Sequence, residues 1–107
     1  MTWTVVLKDS VLDDLRYFGR SQGRALLGLA EELLQSDPLA ETRNLKTLRP
    51  NKFAQRELRV QGKYRVLFNV NVQDEEVVIL AVGEKHGNVL RVQGEEFKRH
   101  HESDSAE

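Results

Sequence analysis

The chain of 107 residues has no cysteine, which excludes a disulfide framework, a thiolate nucleophile and a zinc site built on thiolates. That usage fits a reducing compartment, and a cytoplasmic location is expected. No apolar run approaches the length of a bilayer span, and Met1-Thr2-Trp3-Thr4 lacks the basic stretch and apolar core of a secretory leader. Neither a membrane span nor export is therefore expected. Glycine-rich phosphate loops, a serine-histidine-aspartate set and the HExxH pattern are all missing, which removes the commonest nucleotide-binding, acyl-transfer and zinc-peptidase readings. His100, His101 and Glu102 form too short a donor set for a specific metal site, so no metal and no cofactor are expected.

Net charge is nearly absent too, at −1, but that balance hides a division. From Arg43 to Arg65 the chain carries eight basic residues against one acid, Glu57, giving +7, and the remainder carries 8 bases and 16 acids, or −8. A concentrated basic segment in a nearly neutral chain favours a polyanion or an acidic protein as partner.

The basic segment ends in the stretch that organises the chain, Arg56 to Phe68. It reads as two antiparallel strands about a tight turn at Gln61-Gly62-Lys63. Tyr64, Val66, Phe68 and Val70 recur with the two-residue period of a strand that buries one face, leaving Arg65, Leu67, Asn69 and Asn71 on the other, which is expected to face water. Upstream, Trp3 to Leu7 is rich in β-branched residues and reads as a first strand. Asp9 or Ser10 is expected to cap a helix whose apolar stripe is Val11, Leu12, Leu15 and Phe18, with Asp13, Asp14, Arg16 and Arg20 off it. Gly19 to Gly23 reads as a break, followed by a second helix over Arg24 to Gln35 with Leu26, Ala30, Leu33 and Leu34 inward. Asp37-Pro38 stops it, because the proline ring disfavours helical geometry in the residue before it.

Leu39 to Asn51 shows no period and reads as an extended basic loop anchored by Leu45 and Leu48. Val77 to Val82 is apolar at every position, as in a strand covered on both sides, with Gly83 ending it and residues 84–88 forming a turn. Val89 to Val92 adds a short strand. The expected fold class is α+β: an N-terminal strand of undetermined placement, a helix hairpin, then a twisted antiparallel sheet of three to four strands. One domain is expected over residues 1–97, with a charged, disordered tail over 98–107.

Asn44-Leu45-Lys46-Thr47-Leu48, Glu57-Leu58-Arg59-Val60, Tyr64-Arg65-Val66-Leu67-Phe68 and Val78-Ile79-Leu80-Ala81-Val82-Gly83 resemble the RelE/ParE superfamily of bacterial toxin-antitoxin toxins. The resemblance covers about Leu45 to Leu90, and its most specific piece is the tyrosine-arginine-aliphatic strand. It implies a small cytoplasmic toxin held inactive by a cognate antitoxin. RelE-like members cleave ribosome-bound messenger RNA, whereas ParE-like members inhibit DNA gyrase, and a degenerate toxin that only binds its antitoxin is a third outcome. Position by position, Arg65 matches the strand arginine that contacts the scissile phosphate, and Lys85 matches a second catalytic arginine. The family's C-terminal tyrosine falls at Arg91, so the usual nuclease set is incomplete.

Cleavage of RNA through its 2′-hydroxyl needs a base, cations on the phosphate and an acid for the leaving oxygen. Arg65 and Arg59 are the candidates for the charge, because a guanidinium matches phosphate oxygens two at a time. His86 is the candidate for proton transfer, with a solvated turn histidine as its structural alternative. Arg65 has such an alternative as well, a cross-strand pairing with Glu57. Lys46, Arg49, Lys52, Arg56 and Arg91 complete the expected RNA-binding set.

Overall fold

The computed structural model describes residues 2–97; the expected tail, with His100, His101 and Glu102, lies outside the described residues. In chain order the elements are β1 (Thr4–Leu7), α1 (Asp9–Tyr17), α2 (Arg20–Ser36), β2 (Leu45–Thr47), β3 (Arg56–Val60), β4 (Tyr64–Asn71), β5 (Glu76–His86), β6 (Val89–Val92) and β7 (Glu95–Glu96). Strands β2 to β7 lie in chain order as an antiparallel meander. β1 pairs parallel to β5, with Thr4 opposite Glu76 and Leu7 opposite Ile79. The α+β class stands; among the described residues six strands follow the hairpin where three to four were anticipated, and β1 joins them as a seventh.

The helix hairpin covers one face of the sheet, called here the inner face. Tyr64, Val66 and Phe68 point into it as their period predicts, packing with Val11, Leu15, Leu26, Ala30 and Leu34. Leu12 and Leu33, expected in the stripes, are instead 46% and 48% exposed, because each helix buries a narrower strip than its apolar residues span. α1 has no side-chain cap: its N-cap is Lys8, and Asp9 lies within the first turn. The hairpin breaks over Phe18 and Gly19, and at Gly19 φ is 91°. Gly23 is inside α2, and a Cβ there would stand 2.6 Å from the Leu15 carbonyl oxygen, so this glycine serves the close approach of the helices rather than a turn.

β5 is the central strand, as its apolar sequence predicts, but it runs on through Gly83 to His86, where a turn was expected. β4 flanks one edge, while β1 and β6 share the other. Its pairing with β4 slips by one residue: Leu67 faces Ala81 and Phe68 faces Ile79, leaving Leu80 as a bulge. The slip lets both Ile79 and Val82 reach the inner core. Asp14, expected off the stripe, is 3% exposed; its carboxylate accepts the Val82 N–H at 3.0 Å and a Gln93 side-chain N–H at 2.7 Å. The acid thus ties α1 to the strand just past the bulge.

The segment expected as a loop contains β2, whose Leu45 enters the inner core. Beyond it, Asn51 accepts the backbone N–H groups of Phe53 and Ala54 and donates to the Arg49 and Ala54 carbonyls, fixing a compact turn. That turn brings Leu48, Phe53 and Ala54 over the second sheet face, where they pack with Leu67, Ala81, Leu90 and Phe97. The outer face is therefore partly covered, and Leu67, expected in water, is fully buried.

Candidate functional site

Strand alternation sorts the basic residues onto different sides. Arg59 and Arg65 are direct partners across β3 and β4, and Glu57 and Leu67 are the next pair on the same outer face. Gly83 is the residue of β5 opposite Arg65, and Lys85 follows on that face. Lys46, opposite Glu57 on β2, extends it by one strand. A Cβ on Gly83 would meet the Arg91 carbonyl oxygen at 2.6 Å, so β6 closes over the sheet here only because position 83 has no side chain.

Arg65 is 6% exposed. Its Nη1 donates to the Gly62 and Tyr64 carbonyls at 2.9 and 3.1 Å, which folds the guanidinium back over the β3–β4 turn. Its Nε stands 3.9 Å from Glu57 Oε1, too far for a hydrogen bond. Nε of Arg59 is likewise buried without a hydrogen-bond partner. Burial lowers the Arg65 pKa from its ordinary value, the adjacent Arg59 charge lowers it further, and Glu57 offsets part of this. Arginine nevertheless stays protonated in proteins. Two like charges directly opposite across strands destabilise the sheet unless an anion lies between or above them.

Arg56 belongs to a different arrangement. On the inner side of β3 its Nη1 donates to the Pro38 carbonyl at 2.7 Å, and its Nη2 to the Ala40 carbonyl at 2.6 Å and to Glu41 at 2.8 Å. Those bonds hold the segment between α2 and β2 against the sheet; with both terminal nitrogens engaged and the Nε buried without a partner, Arg56 offers no exposed edge for the expected RNA contact. His86 and Arg91 also fall on the helix side, around a cavity of about 280 Å³ lined by Tyr17, Phe18 and Glu84. There His86 Nε2 is 3.5 Å from Glu84, while Lys63 pairs with the same carboxylate at 3.0 Å. The hydrogen bond and charge of Glu84 raise the Lys63 pKa above its ordinary value. Arg49 and Lys52 are exposed on the Asn51 turn.

The structure thus groups Arg59, Arg65, Lys85 and Lys46 on one face and separates His86, Arg91 and Arg56 from them. The residue underweighted by sequence reasoning is Glu57, treated there only as a possible partner for Arg65. Its signal was available: it is the lone acid of the basic segment.

A helix hairpin on one side of a mostly antiparallel sheet is an α+β arrangement represented among solved structures. A chain of the toxin-antitoxin complex RelBE2 from Mycobacterium tuberculosis is similar to this one with a TM-score of 0.67 and 27% identity, over 79% of this chain and 100% of that one. The RelE-RelB complex from Pyrococcus horikoshii OT3 gives 0.62 and 23%, over 82% of this chain and 99% of that one. A mutant of the Escherichia coli toxin RelE in the free state gives 0.61 and 18%, over 82% and 88%. No family model matches the sequence, and no curated protein matches it by sequence. The chain thus has the fold of these RelE structures, and the RelE-containing superfamily is the one that its strand motifs resemble.

Proposed function

We propose that the chain is the toxin of a toxin-antitoxin pair, held inactive in the cytoplasm by a cognate antitoxin, and that its outer sheet face acts on ribosome-bound messenger RNA. The observation that carries the RNA reading is the direct opposition of Arg59 and Arg65 across β3 and β4, on the sheet face away from the helices. Two guanidinium groups with one carboxylate nearby leave a net positive, partly desolvated site. A phosphodiester supplies the opposing charge. Exposed Arg49 and Lys52, with Lys46 beside them, extend the positive surface along which an RNA backbone can run.

A second reading, inhibition of DNA gyrase without catalysis, is favoured by one specific observation: His86 and Arg91 lie on the opposite side of the sheet from Arg65. The experiment is expression without an antitoxin, following protein synthesis and DNA replication separately. The nuclease reading predicts that translation stops first and that ribosome-bound messages carry internal cuts. Early arrest of replication with relaxed or broken DNA decides for gyrase, and no effect from soluble, folded protein decides for a chain that only binds its antitoxin.

A further inference from the structure

The helix side of the sheet holds a second group of polar side chains, away from the opposed arginines. Glu84 and Arg91 are direct partners across β5 and β6, so alternation sets both on that side. Opposite charges in such a position ordinarily close on each other. Among the described residues these two form no ion pair: Glu84 has Lys63 at 3.0 Å and His86 at 3.5 Å, while Arg91 Nη1 donates to the Gly94 carbonyl at 3.4 Å. Arg91 also stands opposite Glu96 on β7 and makes no ion pair with it. Both Glu84 and Arg91 line the cavity of about 280 Å³, together with the Tyr17 and Phe18 rings.

We propose that this cavity binds a guanine base, with Glu84 accepting from its N1–H and 2-amino groups, Arg91 donating to O6 and N7, and Tyr17 stacking on its plane. The site lies apart from the arginine face, and the inference does not depend on the RNA-cleaving reading.

The cavity stands at the small end of the range for small-molecule sites, as a single base requires. A carboxylate accepts about four hydrogen bonds. Lys63 supplies a close donor to Oε2, and His86 lies at the limit of bonding distance from Oε1, so Glu84 retains an accepting edge. Guanine presents two adjacent donors and, beside them, the O6 and N7 pair that an arginine fork matches. Adenine would set a lone pair against Glu84 and an amino group against Arg91. Cytosine and uracil lack both N7 and the 2-amino group. Tyr17 is 56% exposed, and unstacked bases are held on such rings.

The mouth of the cavity is also fixed in place. Gln93 and Gly94 form the β6–β7 turn with φ of 55° and 80°, and the Gln93 side chain donates to Asp14 of α1 at 2.7 Å. A Cβ on Gly94 would stand 2.7 Å from the Tyr17 hydroxyl, so the glycine lets the ring close against the turn. A non-glycine residue in left-handed conformation persists where its surroundings hold it, and here the bond to Asp14 does so.

The test titrates the full chain with guanosine, adenosine, cytidine and uridine 5′-monophosphates, read from amide shifts in NMR spectra. The guanine nucleotide should saturate, shift Glu84, His86 and Gly94, and bind about tenfold or more tighter than the other three. Inosine 5′-monophosphate, which lacks the 2-amino group, should bind wild type about tenfold more weakly than the guanine nucleotide, and that gap should vanish in Glu84→Gln. The 7-deaza analogue of the guanine nucleotide lacks N7 and should stand in the same relation to Arg91→Ala. Tyr17→Leu should weaken every nucleotide about 5- to 100-fold without changing their order. Each ratio compares ligands on one variant, so a merely destabilised fold leaves it unchanged. Equal binding of guanine and adenine nucleotides, a gap that survives Glu84→Gln, or no saturable binding overturns the proposal and leaves the outer-face reading as it was. A short single-stranded RNA with one guanine among uridines identifies the source of the base. Tighter binding than the mononucleotide assigns it to a strand and equal or weaker binding to a free nucleotide, and both results support guanine as the ligand.

Discussion

The two faces of the sheet bury side chains to opposite ends. On the inner face Phe68, Ile79, Leu26 and Leu34 are fully enclosed in an apolar core, and its one buried arginine, Arg56, has hydrogen-bond acceptors at 2.6 to 2.8 Å. On the outer face a smaller apolar cluster sits beside Glu57, Arg59 and Arg65, whose mutual contacts are at 3.9 Å or lack hydrogen bonds altogether. Nε lacks a hydrogen bond in Arg56 as in Arg59 and Arg65. The difference is that the terminal nitrogens of Arg56 make three close bonds to the segment after α2, whereas Arg59 and Arg65 stand directly opposite each other as like charges.

The largest effect should come from the inner face. Phe68→Ala should cost about 3–5 kcal/mol in denaturant unfolding, and a loss under about 1 kcal/mol would contradict the enclosure described for that ring. Arg65 tests the other side. Arg65→Ala should lower cleavage of ribosome-bound message by about 10² to 10³, equivalent to about 3–4 kcal/mol of transition-state stabilisation, with Arg65→Lys restoring only part. Arg65→Met should lower the melting temperature less than Arg56→Met, because Arg65 gives up two bonds to carbonyls of its own turn and relieves the like charge of Arg59, whereas Arg56 gives up three bonds that tie the segment after α2 to the sheet. Equal thermal effects at the two arginines would erase the distinction between the faces.

Asp14→Ala should be smaller, about 1–3 kcal/mol, since it leaves the buried Val82 N–H without an acceptor. Unchanged amide exchange at Val82 in that variant would show that another group takes the bond. The smallest effect concerns Lys63, whose pKa is raised in the folded protein by Glu84. A raised value means that the pairing stabilises fully below the ordinary lysine value of 10.5 and is lost as pH climbs through the folded one. The stability difference between wild type and Lys63→Gln, measured by urea unfolding across that range, should fade at the alkaline end, and a constant difference would assign the pairing no role.

Much of the inner face was legible in the sequence because it rests on periodicity. The alternation from Tyr64 to Val70 and the helical spacing of Leu26, Ala30 and Leu34 each record the face that meets the core. What the sequence did not disclose depends on residues distant along the chain. Asp14 looks solvated until Val82 is brought to it by the bulge at Leu80. Leu67 looks exposed until the Asn51 turn folds Phe53 and Ala54 across the outer face. The extension of β5 past Gly83 was hidden for a related reason: glycine ends most strands, and its role here as clearance for β6 is visible only with both strands placed. That extension is also what separates His86 from Lys85, since neighbouring residues in a strand point to opposite faces where a turn could have brought them together.

The parallel pairing of β1 with β5 has a consequence for the order in which the protein assembles. Thr4 meets Glu76 and Leu7 meets Ile79, so β1 waits unpaired until residues 76–79 have been made. The hairpin of β3 and β4 can close early, across a turn of three residues, while β1 must close one of the longest loops in the chain. Its docking should therefore be a late folding event, and substitutions at Val5 or Leu7 should speed unfolding far more than they slow folding. β5 receives β1 on one half of an edge and β6 on the other, so the strand that carries Gly83 and Lys85 is fully framed only after that late step. Competence to act would then arrive last.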